Sequence, residues 1–135
     1  MTSMTGHCRC KAVTLTIPDA TAMLARGVGV CHCTDCRAST GAVAGMELSS
    51  PKKDVQIKGS PKAYTNKADS GHEVTRYFCD TCGSPLYAVM SRMADFMFMN
   101  VGIFPPKTLP APTSEHYLRN LESWEKPYPG VKANQ

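Results

Sequence analysis

No stretch of this chain approaches the roughly 20 consecutive apolar residues that a bilayer-spanning helix needs. The opening MTSMTGHCRC has neither a charged leader nor an apolar block, so no secretory signal is expected, and a cytoplasmic protein is. Dense runs of basic residues are also missing. Fifteen Lys and Arg stand against eleven Asp and Glu, scattered along the chain, for a net charge of +4. Aromatic residues make up only 7%. With no basic stripe and few stacking rings, neither nucleic acid nor a membrane surface is expected as a partner. There is no internal repeat, no low-complexity block and no amphipathic helix longer than about two turns.

Cysteine, by contrast, is plentiful and clustered. The seven residues fall in three groups: Cys8 and Cys10; Cys31, Cys33 and Cys36; Cys79 and Cys82. An odd number cannot all pair as disulfides within one chain, and a reducing compartment would keep them as thiols. Spacings of C-x-C and C-x-x-C aim thiolates at one metal ion from short turns and strands.

Around these groups the chain reads as β-structure. Val13, Leu15 and Ile17 alternate onto one strand face. Cys8 and Cys10, at i and i+2, point the same way on an extended segment. RGVGVCHC reads as a strand entering the central cysteines. PKKDVQIKGSPKAYT reads as two short strands, and SGHEVTRYFCDTCGSPLYAV as a strand, a metal-binding turn and a strand. Gly83 supplies the positive φ such a turn needs. DFMFMNVGIF is a further strand, with Met97, Met99 and their neighbours Met93, Phe96 and Phe98 expected mainly in the core. FPPKTLPAPT is too rich in proline for regular structure, and one helical turn is expected near residues 115–121. The reading is one mainly β domain over 1–135, with its core in about residues 5–125 and a loose tail at 126–135.

Two metal assignments are possible. Cys79 and Cys82 can join Cys8 and Cys10 in a closed four-thiolate site, leaving Cys31, Cys33 and Cys36 as a separate three-thiolate site. Alternatively, two of the central three enter the closed site and Cys8 and Cys10 are left weakly placed. The first uses every cysteine and is preferred. An iron–sulfur cluster matches neither common ferredoxin spacing, and a redox pair at Cys33 and Cys36 lacks the usual βαβ surroundings. His32, between two cysteines, should point to the opposite strand face. His7, His72 and His116 read as structural or exposed.

A zinc ion on three thiolates and one open position is a weak Lewis acid, poorly suited to making hydroxide from water. It suits a soft ligand, above all an incoming thiol held as its thiolate. The site therefore favours sulfur chemistry over hydrolysis.

GHCRC, CHCTDCRASTGA and FCDTCGSPLY, with PTSEHYLRNLESW near the end, resemble the glutathione-dependent formaldehyde-activating enzyme family, whose domain centromere protein V shares. The resemblance implies folded-over antiparallel sheets of the β-tent type and two zinc ions per chain. It implies a structural zinc on Cys8, Cys10, Cys79 and Cys82, and a catalytic zinc on Cys31, Cys33 and Cys36. It further implies a carbon–sulfur lyase acting on a glutathione adduct of an aldehyde. A non-catalytic, zinc-stabilised binding module is the alternative. Arg37 and Ser39, directly after the third cysteine, are candidates to line the thiol pocket; a homodimer is an option. The chain departs from the family pattern at VGIFPPKTLP. Ile103 and Phe104 stand where many members carry a Gly-Thr-Leu-Asp type of sequence, which bears on the choice of substrate.

Overall fold

The computed structural model describes residues 2–135. Its elements, in chain order, begin with β1 (Met4–His7), β2 (Thr14–Ile17), α1 (Thr21–Arg26), β3 (Val28–Cys31) and α2 (Thr34–Thr40). There follow β4 (Gly45–Pro51), β5 (Gln56–Lys58), β6 (Lys62–Lys67), β7 (Glu73–Phe78) and β8 (Pro85–Met90). The last are β9 (Phe96–Asn100), β10 (Pro112–His116) and β11 (Lys132–Ala133).

Two sheets carry the strands. A small one has the order β1-β2-β5, and a large one β11-β10-β3-β4-β9-β8-β7-β6. The fold is mainly β, as the alternating sequence implies. Pairing is antiparallel from β3 through β6, but β10 runs parallel to both β3 and β11 at one edge.

The core forms between the sheets. Leu15 and Ile17 from β2, Val28 and Val30 from β3, Leu48 from β4, Leu86 from β8, and Met97 and Met99 from β9 are all buried. The pairs from β2, β3 and β9 repeat at i and i+2, so each of these strands gives one face to the core. Val13, just before β2, continues the same face. Within the late apolar run the expectation divides: Met97 and Met99 are core, Phe96 and Phe98 are half-buried on the opposite face, and Met93 is exposed.

The opposite face of the large sheet is concave. From β3 to β6 the order makes five inter-strand steps, about 24 Å in a flat sheet. Yet Asn66 on β6 donates to the Asp35 carboxylate on α2, just beyond β3, at 3.2 Å. The sheet curls until α2 closes the mouth of a trough. Paired residues share a face, so the register Ser49–Phe98–Ala88–Arg76 runs across the trough floor. Glu47, paired with Asn100, stands one repeat away on the same floor.

Several local expectations change. Cys8 and Cys10 sit after β1 in a tight turn, with Lys11 at φ 66, rather than on a strand. Helix α2 starts at the central cysteines. Cys33 caps it, its sulfur accepting the Cys36 N–H at 3.2 Å, and Gly41 ends it in the left-handed region. Residues 112–116 form a strand despite the neighbouring prolines, and the expected helical turn shrinks to a 3-10 turn at Leu118–Asn120. The segment read as a loose tail supplies β11 beside β10.

One buried bond holds this edge. His32 Nε2 lies 2.7 Å from Glu115 Oε2, with both side chains sealed from solvent. His32 Nδ1 donates to the Val43 carbonyl at 3.2 Å, and Glu115 Oε1 accepts the Tyr128 N–H at 2.9 Å. The pair thereby joins β3, the β4 approach, β10 and the C-terminal segment. Removing one partner strands the other in the core, which costs about 3–5 kcal/mol. Glu115→Ala should lower stability by that amount in urea unfolding, and Glu115→Gln, which keeps an acceptor for Tyr128, should lose less.

Candidate metal centres and the trough beside them

Cys8, Cys10, Cys79 and Cys82 converge with all four sulfurs within 4.8 Å of one another. Two turns make the convergence. In the first, Val13 N–H points at the Cys8 sulfur at 3.3 Å. In the second, Cys82 N–H points at the Cys79 sulfur at 3.5 Å, and Gly83 adopts φ 78 to close the turn. The Arg9 N–H donates to the Ser84 hydroxyl at 3.0 Å and ties the two turns together. That hydroxyl, 3.2 Å from the Cys82 sulfur, and the Ser84 backbone hold the Cys82 thiol down, to about 5.

The sulfur spacing fits a metal. Tetrahedral zinc with bonds near 2.3 Å puts its sulfurs about 3.8 Å apart. Cys8–Cys10 and Cys10–Cys79 are each 3.6 Å. Four thiolates in this arrangement make a closed donor set.

Cys31, Cys33 and Cys36 form the second cluster, also within 4.8 Å. Cys31 ends β3, Cys33 caps α2 and Cys36 lies in its first turn. Among the described residues no fourth Cys, His, Asp or Glu joins the group. His32 is committed to Glu115 on the other side of the strand, so it does not complete the set. Hydrogen bonds from Cys31 and Cys36 push the Cys33 thiol far below its ordinary range, and Cys36 is pushed up in return. Cys36 lies over Gly45 of β4. A Cβ there would come within 3.2 Å of the Cys36 Cβ and 3.6 Å of its sulfur, so glycine permits the close approach.

Arg37 and Ser39 are not among the residues that line the cavity beside the clusters. Arg37 pairs with Glu122 at 2.8 Å, and both side chains are substantially exposed. Ser39 is exposed and donates to the Cys36 carbonyl at 3.2 Å. A cavity of ≈ 650 Å³ lies instead between the first cluster and the end of α2. Its walls include Arg9, Ser84, Thr40, Asn100, Ile103 and Phe104.

Glu47 is the residue that sequence reading missed. It lies in GAVAGMEL, which has no motif, and only the strand register places it in the trough near the triplet. Burial pushes its carboxyl up to about 7 from an ordinary 4.5; Arg76 opposes the shift and Cys33 adds to it.

A mainly β chain with one closed and one three-membered cysteine cluster has, by class, the donor sets of a cysteine-based metal site. The family model described as glutathione-dependent formaldehyde-activating enzyme matches residues 3–120, and the chain belongs to that family. No curated protein matches the chain. Among solved structures it is similar to the crystal structure of a Rhodobacter sphaeroides protein determined in structural genomics. The two share 19% identity with a TM-score of 0.59, over 98% of this chain and 100% of that one. At that identity the likeness concerns the fold. No helix of the described residues is long and apolar enough to cross a membrane.

Two measurements follow from this geometry. Protein purified without added metal should carry two zinc ions per chain by elemental analysis. Cys36→Ser should carry one and keep its circular dichroism, whereas Cys79→Ser should lose the fold's cooperative melting. For Glu47, a raised carboxyl contributes stability that is full below pH 4.5 and lost as pH rises through about 7. Glu47→Gln cannot lose that proton. Its melting temperature should therefore gain on the wild type between pH 5 and pH 8; a constant gap would contradict the shift.

Proposed function

We propose that the protein is a zinc-dependent carbon–sulfur lyase acting on the adduct of a small thiol, glutathione foremost, with an aldehyde. The observation that carries this reading is the three-sulfur cluster whose nearest histidine is turned away to Glu115. Cys31, Cys33 and Cys36 would hold the catalytic zinc, and Cys8, Cys10, Cys79 and Cys82 a structural one. Zinc bound by the triplet would hold a thiol sulfur as its thiolate.

The chain's own residues define the rest. The His32–Glu115 bond fixes the Cys31–Cys33 segment from behind, and Asn120 donates to the His32 carbonyl at 3.0 Å from the side. The ≈ 650 Å³ cavity is of a size to take the organic part of the thiol. Arg9 on its wall supplies a positive charge for a carboxylate. Ile103 and Phe104, where the sequence departs from the family pattern, form its apolar side and would select the adduct. Free thiols at all seven cysteines suit a reducing compartment such as the cytoplasm.

The test is exchange of formaldehyde into and out of S-hydroxymethylglutathione, followed by magnetization-transfer NMR. The zinc-loaded wild type should accelerate exchange, and Cys36→Ala should return it to background, a loss of at least about 100-fold. Equal rates for the two proteins would leave the non-catalytic binding module as the reading.

A further inference from the structure

A thiol adding to a carbonyl must lose one proton from sulfur and gain one on oxygen. No histidine serves this step at the triplet: His32 faces the core, engaged by Glu115 and Val43. The group placed for it is on the trough floor. Gly45, beneath Cys36, and Glu47 are two residues apart on β4, so both face the trough and stand about 6.6–6.8 Å apart. Cys31, paired with Gly45, faces the same way.

Glu47 is half-buried, yet its carboxylate has no structural employment. The ion pairs of the described residues are His32–Glu115 and Arg37–Glu122, which leave it out. No side-chain oxygen among the described residues is sealed from solvent without a partner. The unpartnered Glu47 oxygens therefore open into the trough. Arg76, the positive charge acting on it, is already tethered by donating to Asn66 Oδ1 at 3.1 Å. Asn100, the cross-strand partner of Glu47, borders the ≈ 650 Å³ cavity, whose wall also includes Met46 from the other face of β4.

We propose that Glu47 is the proton carrier of the thiol–carbonyl addition. This rests on the lyase reading above and deepens it. In the forward direction the Glu47 carboxylate takes the proton from the thiol. The sulfur's electron pair forms the S–C bond, the carbonyl π pair moves to oxygen, and Glu47 returns the proton to that oxygen. One S–H bond and one C=O π bond are lost, one S–C and one O–H bond are formed, and nothing is oxidised or reduced. Cleavage of the adduct runs the same steps backwards, with the carboxylate taking the hydroxyl proton first. A carboxyl titrating near neutrality suits both directions. The charged groups acting on it are Arg76 from β7 and the Cys33 sulfur from the start of α2.

The experiment uses zinc-loaded wild type and Glu47→Gln, with zinc content measured for both. Calorimetry of glutathione binding at pH 8, in buffers of different ionisation enthalpy, counts the protons released. The wild type should release close to none, because Glu47 retains the thiol's proton. Glu47→Gln should bind glutathione and release close to one, while adduct exchange falls about 100-fold or more. Glu47→Asp should recover part of the rate. Equal proton release and equal exchange in wild type and Glu47→Gln would overturn the role of Glu47 and leave the lyase standing. A wild type that neither binds glutathione nor speeds exchange would overturn both.

Discussion

The bond between His32 and Glu115 is the constraint on which the candidate site depends. Successive residues of a strand point to opposite sides, so in Cys31-His32-Cys33 one orientation fixes the other. With the imidazole locked into the core against Glu115 and the Val43 carbonyl, the flanking sulfurs have to leave on the trough side. The same bond joins β3 to β10, two strands separated by most of the chain. A metal site built on the end of β3 would otherwise sit at a frayed edge. Its rigidity comes from a buried polar pair, each member satisfied on both sides, rather than from the cysteines themselves.

The four-cysteine cluster constrains at longer range. It brings the turn after β1 to the turn between β7 and β8, some 70 residues along the chain. Closing a loop of that length has a substantial entropic cost. In a 135-residue chain whose core lies between a three-stranded and an eight-stranded sheet, a metal-thiolate bond set would offset that cost. The cluster also positions function indirectly. Arg9 and Ser84 belong to its turns and to the wall of the cavity, so the geometry that closes the first cluster sets one side of the space beside the second.

Much of this was legible in the sequence because thiolate spacing is local. C-x-x-C at Cys79 and Cys82, with Gly83 behind it, specifies its turn from within. The alternation of Val13, Leu15 and Ile17 specifies a buried face in the same way. What escaped was whatever depends on distant strands. Helix α2 is too short to announce itself by periodicity, and its cap is a cysteine rather than a hydroxyl or carboxamide. Residues 112–116 pair in parallel with a strand more than 80 positions earlier, and nothing in a proline-rich stretch signals that. Arg37 and Ser39 looked like pocket residues because they follow a ligand. In the structure Arg37 pairs with Glu122 and Ser39 donates to the Cys36 carbonyl, contacts that their place after a ligand does not reveal. Glu47 was invisible for the opposite reason: it follows no ligand, and only the pairing of β4 with β3 brings it near one.

The charges in the trough explain why such a carboxylate persists. Three thiolates around one divalent ion would carry a net negative charge, and an incoming thiolate would add another. A permanently ionised glutamate beside them would oppose binding. Half-burial would ease the conflict, because it raises the carboxyl to about 7, where the group could take up a proton as a thiolate binds. Arg76, held by Asn66, limits the rise and keeps the group from being locked in its protonated form. A residue with no hydrogen-bond partner, held above its ordinary range, lowers the stability of the fold at neutral pH. An apolar residue at that position would not carry this cost. What Glu47 adds in exchange is the ability to take a proton as the sulfur loses it, without a net change in charge within the trough.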